Sequence, residues 1–152
     1  VILILLLKES INIKLLYSYY NNDLRNDLII DKHLKKLNFI RVPAELGLRK
    51  GTNKFKKILE RIPDFDLCIL GFGEDGHIAS LFPKHSALKS KSSAVAIINS
   101  PKFPPNRISS SLTKLNLSRY KIAIASRKGK DKVIGLIRKK KNLPITQVST
   151  NY

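Results

Sequence analysis

Asp75, Gly76 and His77 are consecutive residues, and they follow Gly71 and Gly73 at the end of a short apolar run. An imidazole near its ordinary pKa, set beside a carboxylate, is equipped to act as a general base at neutral pH. Glycine lets backbone approach a ligand closely or take positive φ, so Gly73 and Gly76 are candidate neighbours of a substrate. A lone Gly-x-Gly would mark only a strand connection with a surface histidine. The acid, the glycines and the histidine together make this loop a candidate catalytic site, with His77 as base and Asp75 as its partner.

The element that must position the loop is Leu67 to Leu70, bounded by Asp66 and Gly71. Such a run reads as a strand buried on both faces. In open α/β sheets, ligands bind beyond the carboxyl ends of strands, where residues 73–77 fall. Val1 to Leu7 reads as a further strand. The pattern predicts a helix over 22–37, with Asn22 as N-cap and Leu24, Leu28, Ile30, Leu34 and Leu37 on one face. Asn38 to Val42 is a short strand ended by Pro43. Thr52 is placed to cap a second helix with Phe55, Ile58, Leu59 and Ile62 as its stripe, closed by Pro63 and Asp64. Ala94 to Ile98 reads as a buried strand, and Ser100 to Arg107 as its loop, stiffened by Pro101, Pro104 and Pro105. Ser109 to Thr113 leads into a short helix, and Tyr120 to Ala125 is a strand. Gly129 to Lys141 is a helix with Val133, Leu136 and Ile137 towards the sheet. Alternating strands and helices give one α/β domain over 1–152: three-layered, with a largely parallel sheet.

The remaining reactive side chains divide by context. His33 lies among Lys32, Lys35 and Lys36 and reads as a solvated helix residue; His85 reads as a surface loop residue. Cys68 is the one cysteine, set in an apolar strand, so an inert thiol and a reducing cytosol are expected. No metal-ligand cluster is visible. The run from Val1 to Leu7 is too short to span a membrane. Net charge is +18, which raises two functional readings: a nucleic-acid partner or a field that attracts small phosphorylated anions. The chain has 21 Lys against 8 Arg, with 19 Ile and 11 Asn, and its lysines are spread without aromatic interleaving. That mixture follows from AT-rich codons, and no nucleic-acid partner is expected.

The stretch Gly71-x-Gly73-x-Asp75-Gly76-His77-x-Ala79-Ser80-Leu81-Phe82-Pro83 resembles the signature of the 6-phosphogluconolactonases, relatives of the glucosamine-6-phosphate deaminases. Ala79 to Pro83 resembles the lactonases in particular. Ser100-Pro101-Lys102-x-Pro104-Pro105-x-Arg107-Ile108 resembles a second lactonase segment. The resemblance implies the sugar-phosphate isomerase-like variant of the doubly wound Rossmann fold. It also implies hydrolysis of 6-phospho-D-glucono-1,5-lactone in the oxidative pentose phosphate pathway, with no metal or organic cofactor. His77 would activate water, and Asp75 would orient or polarise the histidine. Backbone N–H groups of Gly73 to Gly76 would meet the oxyanion, and Lys102 and Arg107 would attract the phosphate. Gly129-x-x-Lys132 resembles the opening of a late family helix. Lys8-Glu9-Ser10 resembles the family's Asp-Glu-Arg, with Ser10 at the arginine. A cytoplasmic monomer is expected, lacking the family's N-terminal phosphate loop and with little or no activity as it stands. The alternatives are an inactive lactonase-like domain and an aminosugar-phosphate isomerase or deaminase.

Overall fold

The computed structural model describes residues 3–9, 12–18, 38–62, 64–124 and 129–148. The helix expected over 22–37, with His33, lies outside the described residues, as do Ser10, Pro63 and Ala125. Five strands form one sheet: β1 (Leu3–Glu9), β2 (Asn12–Ser18), β3 (Asn38–Arg41), β4 (Leu67–Gly71) and, last in sequence, β7 (Tyr120–Ile124). Their order is β3-β2-β1-β4-β7. β1 is antiparallel to both β2 and β4, while β2 and β3, and β4 and β7, are parallel pairs. Four of the five strands therefore run one way, with β1 against them, and the fold is α/β.

β4 occupies an interior place in this sheet, as its apolar run predicts. Its burial alternates, however. Cys68 and Leu70 are buried, whereas Leu67, Ile69 and Gly71 are half-buried. The expectation of a strand buried on both faces is corrected on that point. A four-residue apolar run cannot distinguish two covered faces from one covered face and one partly open. The covered face joins Phe55 and Leu59 of α1 (Gly47–Glu60), together with Phe65, Ile78, Leu81 and Phe82, in one core. Burial pushes the Cys68 thiol up to about 12. No thiolate is present there at neutral pH, and Cys68 acts as a core residue.

α1 opens at Gly47, five residues before Thr52, after a 3-10 turn over Ala44–Leu46. Thr52 is thus inside the helix rather than at its cap, and its hydroxyl donates to the Leu48 carbonyl at 2.7 Å. That back-bond satisfies the hydroxyl without ending the helix. Gly51 lets the helix lie directly on its neighbours: a Cβ there would stand 2.5 Å from the Pro43 carbonyl oxygen and 2.6 Å from Ile108 Cδ1.

β5 (Ala94–Ile97) does not join the main sheet. It forms an antiparallel hairpin with β6 (Arg107–Ser110), and α1 packs on that hairpin. Lys102 lies in the hairpin's connecting loop, and Arg107 is the first residue of β6. Neither follows a parallel strand. Four apolar residues announce burial but carry no information about direction. Ser109 and Ser110 also belong to β6, so only Ser111 caps the next helix, α2 (Leu112–Asn116), accepting from the Lys114 N–H at 3.0 Å. α3 spans Asp131–Arg138, shorter at both ends than the expected helix. Val133 is buried, and Ile134 and Ile137 pack against the core. A last turn, α4 (Pro144–Gln147), follows.

Candidate active site

After β4 the chain folds into a compact loop instead of entering a helix. Phe72 bridges Ile78, and Ile78 bridges Leu81. Ala79 takes φ +48° in the tight turn between them. Within the loop, Gly73 N–H donates to the His77 carbonyl at 2.8 Å, and Gly76 N–H donates to the Gly73 carbonyl at 3.0 Å. Gly76 adopts φ +80°, a conformation glycine takes at little cost. Its Cα faces Leu143, whose Cδ1 would stand 2.9 Å from an added Cβ. Gly73 is tighter still: a Cβ there would lie 2.2 Å from both Cε1 and Nδ1 of His77.

These contacts correct one expectation. Of the backbone N–H groups from Gly73 to Gly76 that the resemblance assigns to the oxyanion, those of Gly73 and Gly76 are engaged in closing the loop. The two glycines serve the site by absence of a side chain: one makes room for the imidazole, the other for the segment that leads into α4.

His77 is only 3% exposed. Its ring stacks on Phe82, with centroids 4.5 Å apart and planes inclined at 28°. Nδ1 lies 2.5 Å from Asp75 Oδ1, and the same oxygen accepts from the His77 backbone N–H at 3.2 Å. With Asp75 ionised, Nδ1 must carry the proton, which leaves the Nε2 lone pair as the acceptor. Burial holds the His77 imidazole below the ordinary histidine value; Asp75 opposes that shift, and the positive charge of Lys102 adds to it. Burial also pushes the Asp75 carboxyl up, but the hydrogen bond from His77, its charge and two backbone N–H groups outweigh this, and the net shift is downward.

Both shifts have the same sign for stability. As pH falls from 6.5, the ordinary histidine value, the unfolded chain takes up a proton that folded His77 refuses. Below 3.8, the ordinary value for aspartate, Asp75 behaves likewise. Stability is therefore fully present above pH 6.5 and is lost on acidification through the folded values. The urea midpoint is expected to fall between pH 7.5 and 5, and to fall less in a His77→Gln variant. Equal slopes in the two proteins would show that His77 does not contribute.

The hairpin loop brings the two basic residues to this side. Arg107 lies over the Phe82 ring, its Cζ 5.3 Å from the centroid, on the ring that stacks with His77. Its Nε donates to the Pro104 carbonyl at 3.0 Å, and Nη2 donates to the carbonyls of Lys102 and Phe103, each at 2.8 Å. Ser100 Oγ also donates to the Lys102 and Pro104 carbonyls. Arg107 thus braces the loop that carries Lys102, whose side chain is exposed and whose charge reaches His77. His85 stands apart. Nδ1 accepts from the Ala87 N–H at 3.1 Å and Nε2 faces the Ile98 carbonyl at 3.2 Å, so both ring nitrogens serve the local turn.

Three contributors were not legible in the sequence. Phe82 forms the wall behind the imidazole. Ile145 N–H donates to the Gly76 carbonyl at 3.1 Å and ties α4 to the loop. Lys130 Nζ donates to the Phe72 carbonyl at 2.6 Å, while Lys132 two residues on is exposed. Among the described residues, no group of three or more His, Cys, Asp or Glu is arranged to hold a metal ion. No helix among them is long and apolar enough to cross a membrane.

A comparison with known families matches residues 17–152 to the glucosamine-6-phosphate isomerases/6-phosphogluconolactonase family. The chain belongs to that family. The match opens after Lys8-Glu9-Ser10, so the segment compared with the family's Asp-Glu-Arg precedes the matched residues. The chain is 37% identical over 117 residues to a human 6-phosphogluconolactonase, covering 72% of this chain and 45% of that protein. A rat 6-phosphogluconolactonase is 45% identical over 96 residues, covering 61% of this chain and 37% of that one. A crystal structure of a Thermotoga maritima 6-phosphogluconolactonase superposes with TM-score 0.68 at 26% identity, over 78% of this chain and 58% of that one. The chain thus spans about half the length, or less, of the curated relatives it matches. The matched residues include the loop from Gly71 to Pro83 and the braced hairpin.

Proposed function

We propose that this protein hydrolyses 6-phospho-D-glucono-1,5-lactone to 6-phosphogluconate, the lactone-opening step of the oxidative pentose phosphate pathway, in a reducing cytosol. The observation that carries the reading is the Asp75–His77 pair at the carboxyl end of β4, with Nδ1 committed to the carboxylate and Nε2 left to accept a proton. His77 Nε2 takes a proton from water as the water oxygen attacks the lactone carbonyl carbon. The imidazolium so formed is stabilised by Asp75. On collapse of the tetrahedral intermediate it returns the proton to the departing ring oxygen. A His77 held neutral by burial is in the right state to begin this cycle. Lys102 attracts the phosphate, and Arg107 holds the loop that presents it. Gly73 and Gly76 shape the floor of the site.

An aminosugar-phosphate deaminase is the rival within the same family. Leu81 and Phe82, both fully buried, with Phe82 stacked on His77, belong to the segment that resembles the lactonases, and the named relatives are lactonases. Titration of isotope-labelled protein separates the two readings. 6-Phosphogluconate is expected to shift the resonances of His77 and of residues 100–107, and glucosamine 6-phosphate to shift them only at higher concentration. The reverse preference would favour the deaminase, and no response from either region would overturn both.

A further inference from the structure

Lys130 belongs to no motif, and its side chain crosses to the catalytic loop from a position 58 residues away in sequence. It stands at the N-terminal boundary of α3, just after Gly129 with its φ of +75°. Nζ donates to the Phe72 carbonyl at 2.6 Å and lies 5.1 Å from the centroid of the Phe72 ring. The ammonium thus meets two groups of one residue, a carbonyl oxygen and an aromatic face, each attractive to a cation.

The carbonyl it holds is half of a peptide unit whose other half already has a task. The group between Phe72 and Gly73 presents the Phe72 oxygen to Lys130 and the Gly73 N–H to the His77 carbonyl at 2.8 Å. A peptide group is planar and turns as one body. Turning it to release the oxygen would also swing the N–H away from His77. The same peptide ends at the Gly73 Cα, against which the imidazole lies so closely that a Cβ would come within 2.2 Å of the ring. The orientation of one peptide plane therefore holds the His77 backbone directly, and the glycine at its end packs against the His77 ring.

We propose that Lys130 is a positioning residue for His77: by clamping the Phe72–Gly73 peptide it keeps the imidazole seated against Asp75. The inference deepens the lactonase reading, since it rests on His77 as the base, but its test does not depend on turnover. With Nδ1–H held 2.5 Å from Asp75, the His77 ring proton should give a slowly exchanging, downfield proton resonance.

The experiment compares this resonance in the unaltered protein, Lys130→Met and Lys130→Arg, with thermal melts of each. Lys139→Met, on the exposed residue just past the end of α3, controls for loss of one positive charge. Lys130→Met is expected to lose the resonance through faster exchange while remaining folded. Lys130→Arg, which can still donate to the carbonyl, is expected to keep it, as is Lys139→Met. Should Lys130→Met not fold, Lys130→Gln takes its place with the same expectation. A folded Met or Gln variant that keeps the His77 resonance unchanged, whatever its melting temperature, overturns the proposal. Loss of the resonance in Lys139→Met would overturn it too, since charge alone would then account for the effect. The lactonase reading fails separately, in the ligand titration above, and survives either result here.

Discussion

Replacing His77 by alanine lowers kcat for lactone hydrolysis by roughly 10²–10⁴, the usual contribution of a positioned general base. The measurement belongs on whatever length of the protein turns over the lactone, with the spontaneous hydrolysis subtracted. Binding of 6-phosphogluconate should change little if, as proposed, the charge that attracts phosphate comes from the 100–107 loop rather than from the imidazole. The pH profile supplies an independent readout. The base must be neutral to accept a proton, so kcat/KM falls as pH drops through the His77 pKa. Burial holds that pKa below the ordinary value of 6.5, so the acid limb should lie below 6.5 and disappear in the alanine variant. An unchanged kcat would make His77 a structural residue and send the search for the base elsewhere.

Gly73→Ala should be nearly as damaging, although it leaves every ionisable group in place. The new methyl would lie 2.2 Å from two atoms of the His77 ring and 2.7 Å from Asp75 Oδ1, where carbon atoms normally rest about 3.5–4.0 Å apart. Phe82 stands 4.5 Å from the ring, centroid to centroid, so the imidazole has no free volume in which to retreat. Either it leaves Asp75 or the loop opens. A displacement of about 1 Å at the reacting group is enough for a kcat loss on the order of 10²-fold, and overpacking of this kind costs about 1–3 kcal/mol of stability. Gly135→Ala is the matched control. It sits inside α3 with no atom within 4 Å of its Cβ position, and should stabilise by roughly 0.5–1 kcal/mol with kcat unchanged. If Gly73→Ala kept full kcat, the loop would be far softer than its contacts imply.

The sequence made the centre of this site readable because its parts are local. Asp75 and His77 are two residues apart, and the glycines and the apolar run before them state where the backbone must turn. The 6-phosphogluconolactonase resemblance rested on the same segment, and the family match extends over residues 17–152. What was not readable depends on contacts between distant segments. The resemblance implies that Arg107 meets a phosphate, but it does not reveal that Arg107 also donates to three carbonyls of its own loop, and no side-chain pattern encodes carbonyl directions. The apolar run from Ala94 to Ile97 announced a buried strand but could not say which way it would pair. Thr52 looked like a cap because it precedes an apolar stripe, yet the helix had already begun at Gly47. Lys130 was one lysine among 21, and only the fold shows that it reaches a carbonyl on the loop of Asp75 and His77.

β7 closes the described sheet on one side, and three of its residues face outward on a single surface: Tyr120 at 58%, Ile122 at 48% and Ile124 at 56% exposure. An outer strand carrying apolar side chains invites edge-to-edge pairing with a similar strand. What opposes it is the charge of +18, which keeps copies of the chain apart by mutual repulsion. That protection is borrowed from the solvent. The Debye length shrinks from about 10 Å at 0.1 M salt to about 3 Å at 1 M, while the attraction between apolar borders does not weaken. Dispersion and the pull on anions therefore share one salt dependence: the dilute buffers in which its lysines draw anions most strongly are also those in which the protein stays dispersed.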